Sequence, residues 1–314
     1  MRADTGRLSC GTVRPLLLSL LFLALPARGL ELAVTFDDGP KLTATPLLSP
    51  AERNERLLAQ LAAAKVTAAL FVTLGNGADR PEGLALLRAW GEAGHAIGNH
   101  TVTHLDLNAS STTLEAYEAE LLACDAVIRE VPGYRPWFRF TFLREGNTPE
   151  KRDGIRAFLA ERTWLNARVT VDTSDWRLDQ KLAALLRKDP KADLAPLKAV
   201  YLAHLRQRAN AFRDLSRRLL GRDVGHTLLL HHNLLNALFL ADVLAQLRAD
   251  GWTLVAPEVA FADPVYREEP DRPAPGQSLL LSLARARGWK LVPEFERLMD
   301  DGDAEIEALA KQGY

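Results

Sequence analysis

The stretch Leu32-Ala33-Val34-Thr35-Phe36-Asp37-Asp38-Gly39-Pro40 sets the reading of the whole chain. Five β-forming residues without alternation suit a strand buried on both faces, which is the habit of parallel sheets. Two adjacent carboxylates follow, and Gly39-Pro40 ends the run as a turn. Ser49-Pro50-Ala51-Glu52 then supplies a helix cap, a first-turn proline and a reciprocal acid. Leu57, Leu58, Leu61 and Ala62 continue it at helical spacing. The opening unit is therefore strand, acidic turn, helix.

The unit repeats along the chain. Residues 68–73 read as a strand, 81–93 as a helix stopped by Gly94, and Ala96-Ile97 as a short strand leading to Asn99-His100. A helix capped near Thr112, with Glu115 following, runs to about Arg129. Residues 138–142 read as a strand, 149–162 as a helix and 167–171 as a strand. Residues 227–230 read as a strand, 236–248 as a helix and 252–255 as a strand. Alternation of this kind, without hairpin signals, predicts an α/β fold with parallel strands, most simply closed as a barrel. Two regions fall outside the repeat. Residues 178–222 form a helical insertion or long crossover, interrupted at Asp189-Pro190. Residues 263–277 read as an exposed, Pro-rich linker before an apolar helix over 279–286, with a polar surface helix at the end.

The 314 residues are 47% hydrophobic and carry a formal net charge of −1, so there is core enough for a large domain and no basic surface suited to nucleic acid. Arg2, Arg7 and Arg14 precede an apolar run over 16–25 and the small-residue segment Pro26-Ala27-Arg28-Gly29. This pattern predicts an export signal cleaved after Gly29, too short for a membrane span, and a periplasmic or secreted product. Cleavage removes Cys10 and leaves Cys124 alone, so no internal disulfide is expected and the thiol reads as buried and inert.

Each polar cluster able to do chemistry stands after a predicted strand, and in a parallel barrel those ends share one face. His100 and His104, four apart, are expected to meet on one side of a helical turn. One aspartate with two histidines makes three protein ligands and leaves a position for water, as in a catalytic metal site.

The Thr35-to-Pro40 segment followed by the His100/His104 pair resembles the polysaccharide deacetylase family of the NodB-homology type. Three later segments extend the resemblance. Phe138-Arg139-Phe140-Thr141-Phe142 resembles the family's arginine-containing strand, although Thr141 stands where proline is usual. Asp172-Thr173-Ser174-Asp175-Trp176 resembles its acidic-Trp segment. Leu228-Leu229-Leu230-His231-His232 resembles its final histidine motif, with His231 in better register and His232 as the alternative.

The resemblance implies a distorted (β/α) barrel over residues 30–262, containing the helical insertion and followed by a helical extension over 263–314. It implies an exported hydrolase that removes N- or O-acetyl groups from an amino-sugar polysaccharide or oligosaccharide. Asp38, His100 and His104 would hold one divalent ion, zinc before cobalt, nickel or iron. Asp37 would be the base and Arg139 its hydrogen-bonding support. His231 would be the acid, supported by Asp175. The Phe142 amide would face the oxyanion, and Trp176 would wall the pocket. His95, His204 and His226 fall outside these motifs and read as structural or solvent-exposed. Two other readings share the same residues: a metal hydrolase of a non-sugar amide, and a carbohydrate-binding homologue without turnover.

Overall fold

The computed structural model describes residues 29–272 and 276–314 together with Met1. The expected export signal, with Cys10, lies outside the described residues apart from its two end positions.

Seven strands form one parallel sheet: β1 (Glu31–Asp37), β2 (Ala69–Val72), β3 (Ala96–Asn99), β4 (Tyr134–Phe138), β5 (Leu165–Asn166), β6 (His226–His231) and β7 (Thr253–Leu254). Their order is β5-β4-β3-β2-β1-β6, and β7 pairs with the start of β1. The helices between and after them are α1 (Pro50–Ala64), α2 (Pro81–Glu92), α3 (Leu114–Ile128), α4 (Pro149–Glu161), α5 (Asp175–Lys188), α6 (Ala195–Leu220), α7 (Leu234–Ala249), α8 (Pro257–Phe261), α9 (Leu279–Ala286), α10 (Pro293–Glu296) and α11 (Asp303–Lys311). The α/β barrel-like architecture is the expected one. β1 is buried from Leu32 onward, as a central strand covered on both faces must be. The Ser49 capping box forms with both reciprocal hydrogen bonds, which is why α1 starts where the sequence places it.

The structure corrects two strands. The strand expected over 138–142 instead spans Tyr134–Phe138. It passes Pro136 because the pairing with β3 bulges there, Ile97 opposing Tyr134 and Asn99 opposing Phe138. Arg139 N–H makes the last bond to β3, on Asn99 O at 3.0 Å. The chain then turns at Phe142 and Leu143, both at positive φ. The strand expected over 167–171 shrinks to the two residues of β5 and a single bridge from Val171 to Leu228. Between them side chains replace the ladder: Thr227 N–H donates to Thr170 Oγ1 at 2.9 Å, and Thr227 Oγ1–H donates to Arg168 O. The stretch still touches β4 at its start and β6 at its end, through Ala167 N–H to Phe138 O (2.7 Å) and Val171 N–H to Thr227 O (2.9 Å). That irregular segment closes the barrel.

The region read as an insertion is the crossover from Val171 to β6, made of α5 and the 26-residue α6. The segment after residue 263 is less exposed than expected, since Val265 and Tyr266 are buried and Tyr266 donates to Gly225 O. The apolar residues of α9, with Phe295, Leu298 and Leu309 of the tail, belong to the same core as the sheet. Cys124 is buried, and burial pushes its thiol well above the usual range. Among the described residues no helix is long and apolar enough to cross a membrane.

Candidate active site

The carboxyl ends of the strands converge as a parallel barrel requires. Asp37 ends β1 and Asp38 follows it, His100 follows β3, Arg139 follows β4, Asp175 opens α5 and His231 ends β6. Asp37, Asp38, His100, His104, Phe142, Trp176 and His231 line one cavity of about 650 Å³, while Arg139 and Asp175 stand buried behind it.

Asp38, His100 and His104 present ligand atoms all within 4.8 Å of one another. The histidines do not lie on a helical turn, as their spacing suggested. Residues 100–104 form an irregular loop in which Thr101 (φ 70°) and His104 (φ 61°) are left-handed, bringing the rings to 5.1 Å. Asn99 Oδ1 accepts from Thr101 N–H, and Glu120 accepts from the amides of Val102 and Thr103. Of seven non-glycine residues with positive φ among the described residues, four (Asp38, His104, Phe142, Leu143) line this cavity and a fifth, Thr101, directly follows His100 on its wall, a concentration of backbone strain typical of functional sites.

The donor set fits a divalent cation. His100 Nδ1–H donates to Arg139 O at 2.8 Å, which fixes its tautomer and leaves Nε2 free. Burial brings His104 down to about 4, so its imidazole is neutral at physiological pH. Burial alone would raise Asp38, but Lys41 and the surrounding histidines hold it well below the usual carboxylate range. A deprotonated carboxylate and free imidazole nitrogens are what a first-row divalent ion requires.

Asp37 and Asp38 have separate partners. Arg139 Nη1 donates to Asp37 Oδ1 at 2.7 Å and to Thr35 Oγ1 at 2.8 Å, its Nε donates to Ala167 O, and the guanidinium lies 3.9 Å over the Phe71 ring. Asp37 Oδ2 faces His100 Nε2 at 3.7 Å. Asp38 instead accepts from Thr73 Oγ1 and Lys41 Nζ, and its backbone carbonyl accepts from Asn76.

Across the cavity His231 Nδ1 meets Asp175 Oδ1 at 2.7 Å. Asp175 Oδ2 also accepts from His231 N–H, Asn233 and Asn236. Burial works against a charged His231, but Asp175, with Asp38 and Asp37 behind it, raises its pKa to about 9. His232 points the other way, fully buried with Nε2 on Asn54 Oδ1 at 3.0 Å, so the cavity-facing histidine is His231. Phe142 stacks its ring edge-on to His104 at 4.4 Å. In place of the usual proline, Thr141 is buried and its hydroxyl bonds Leu105 O and the Tyr117 hydroxyl.

Sequence reading missed several wall and support residues. Lys41, Asp172, Asp179, Asn233 and Asp301 also line the cavity. Burial pushes Asp172 up to about 7, with Arg208 opposing and Asp301 reinforcing. Lys41, directly after Gly39-Pro40, and the Asn233-x-x-Asn236 pair after His232 were signals in plain view. Asp301, from the distant tail, offered none. His95, His204 and His226 are all buried, none solvent-exposed.

The fold is thus a parallel α/β barrel that sets a candidate Asp-His-His cation site between two buried pairs, Arg139–Asp37 and Asp175–His231. Residues 26–152 match the family described as Polysaccharide deacetylase. The match includes Asp37, Asp38, both loop histidines, Arg139 and Phe142 but stops short of Asp175, Trp176 and His231. The peptidoglycan-N-acetylglucosamine deacetylase of Bacillus cereus is 27% identical over 152 residues, 48% of each chain. The chitooligosaccharide deacetylase of Sinorhizobium fredii is 36% identical over 151 residues, 46% of this chain and 58% of that one. The chain thus spans about half the length of these curated relatives. The solved Bc1960 peptidoglycan N-acetylglucosamine deacetylase has the same fold, with a TM-score of 0.50 at 20% identity, covering 74% of this chain and 89% of that one.

Proposed function

We propose that this chain is an exported, metal-dependent deacetylase that hydrolyses the N-acetyl or O-acetyl group of an amino-sugar polysaccharide or oligosaccharide. The observation that carries the proposal is one cavity lined by the Asp38–His100–His104 set, Asp37 and His231. The names of the Bacillus and Sinorhizobium relatives favour an N-acetylglucosamine-containing substrate. The arginine-flanked apolar run at residues 16–25 supports export to the periplasm or medium, where such polymers are met.

Asp38, His100 and His104 would hold the ion, with zinc the first choice for imidazole and carboxylate and cobalt, nickel or iron as alternatives. When bound, the ion supplies a polarised water and positive charge for the acyl oxygen. Asp37 takes the proton from the attacking water through Oδ2, because Oδ1 is fixed by Arg139. The Phe142 amide, in the strained turn over His104, donates to the developing oxyanion. His231, protonated at neutral pH, gives its proton to the leaving amine, and Asp175 stabilises the charged ring beforehand. Trp176 walls the acyl side of the cavity.

The test is acetate release from acetylated oligosaccharides by the purified protein, with and without chelator. Release that chelator abolishes, zinc or cobalt restores and Asp38→Ala lacks is the expected result. Stoichiometric metal with no release from any glycan, while a small cyclic amide is hydrolysed, would overturn the sugar assignment.

A further inference from the structure

His204 lies in the middle of α6, outside every matched motif, yet it joins the tail of the chain to the acid side of the cavity. Its Nε2 accepts from the backbone N–H of Ser174 at 3.0 Å. That nitrogen therefore carries no proton, and Nδ1–H donates to Glu305 Oε1 at 2.8 Å. Glu305 belongs to α11. Ser174 immediately precedes Asp175, the partner of His231, and stands two residues before Trp176 on the cavity wall.

Other bonds hold the same junction. Arg208 donates to Leu298 O at 2.6 Å and to Asp300 O. Ser174 Oγ donates to Asp300 O at 3.4 Å, and Arg177 pairs with Asp303. Asp300 caps the start of α11 through the amides of Asp303 and Ala304. A side chain at Gly302 would place its Cβ 3.0 Å from Ser174 Cβ, so the tail packs directly on the segment. Asp301 of the same tail loop lines the cavity.

We infer that the His204–Glu305 pair is a positioning device for the Asp175–His231 acid, through which the C-terminal extension forms a working part of the catalytic site. His204 and Glu305 act through Ser174 and touch neither substrate nor ion, so both are positioning residues. Removing the acceptor leaves the Ser174 amide buried and unpaired, which the segment relieves by moving. Movement there carries the Asp175 carboxylate with it, and displacements of about 1 Å at a catalytic group cost on the order of 10²-fold in rate. The inference rests on the deacetylase reading for its rate consequence but not for its geometry.

Two measurements on His204→Ala, His204→Gln and Glu305→Gln test it. The first is kcat and KM for acetate release from a chitooligosaccharide. The second is the low-field NMR resonance of the His231 Nδ1 proton shared with Asp175, which needs no substrate. His204→Ala is expected to lower kcat by about 10²-fold with little change in KM, and to lose the resonance to exchange. His204→Gln, which keeps an acceptor for Ser174, is expected to recover most of both. Should His204→Ala fail to fold, Glu305→Gln carries the test, with a kcat loss of about tenfold from weakening a charged hydrogen bond. Folded His204→Ala, or folded Glu305→Gln in its place, with wild-type kcat and an intact resonance overturns the inference. Failure of the wild-type protein to release acetate from any glycan sinks the deacetylase reading alone, because the resonance still reports on the positioning.

Discussion

At the scale of single residues, two neighbouring aspartates meet different partners because the backbone separates them. Asp37 is the last residue of a strand and points to buried Arg139, whereas Asp38 adopts φ 68° and turns to the histidines. Asp38→Ala is expected to lose bound metal and activity together. Asp37→Asn should keep the metal and lose about 10²–10⁴-fold in rate. Metal content by elemental analysis, read beside acetate release, separates the two, and full activity in Asp37→Asn would remove its role as base. His231 sets a second expectation. Its pKa is raised to about 9, so the acid form is present at neutral pH and is lost as pH rises through the folded value. A bound cation nearby lowers that value by charge repulsion. The basic limb of kcat/KM should therefore fall at or below about pH 9, and Asp175→Asn should move it further toward acid. A limb unmoved by Asp175→Asn would detach it from His231. The adjacent aspartates and histidines were legible in the sequence as residue types. The choice between His231 and His232 needed the side-chain direction: one faces Asp175, the other Asn54.

At the scale of elements, the sequence was most readable where local chemistry decides. The Ser49 capping box and the prolines opening α1, α2 and α4 mark helix starts that the structure keeps. It was least readable where backbone strain or distant partners decide. The His100–His104 loop mimics helical spacing but relies on left-handed Thr101 and His104, with Asn99 holding the Thr101 amide and Glu120 the two amides between them. The segment after β5 loses its ladder to the hydroxyls of its own Thr170 and of Thr227 on β6, a competition invisible without the fold. The turn after β1 combines both kinds of constraint. A Cβ at Gly39 would sit 2.7 Å from His232 Cβ and from Leu70 Cδ1, both in the packed interior. Gly39→Ala is accordingly expected to destabilise the fold by about 1–3 kcal/mol through overpacking, and to displace Asp38 next to it. Denaturant unfolding and metal affinity measured on one sample check both effects. Unchanged stability would mean that this turn has more slack than its contacts indicate.

At the scale of the whole molecule, the barrel and its extension are bound by a buried charge cluster as well as by a shared core. Glu145, nearly inaccessible, accepts from Arg168 Nε and Nη2 and from Arg156. Arg168 also donates to Glu268 O at 2.9 Å, fastening the segment that leads to the tail. Burial by itself would raise the Glu145 carboxyl, but Arg168 and then Arg156 outweigh it and bring the pKa to about 2. Because the folded value lies below the unfolded one, this pair's stabilisation is complete above about pH 4.5 and is lost as pH falls toward 2. A displacement of that size corresponds to roughly 3 kcal/mol. Glu145→Gln leaves Arg168 buried without its counter-charge, and breaking such a pair costs about 3–5 kcal/mol at neutral pH. The difference between wild type and variant should then narrow as pH drops below 4.5, where Glu145 of the unfolded wild-type chain begins to take up its proton while the folded one stays ionised. Unfolding free energies across pH 2 to 7 read this directly. A gap constant over that range would show that protonation of Glu145 is not what weakens the fold in acid.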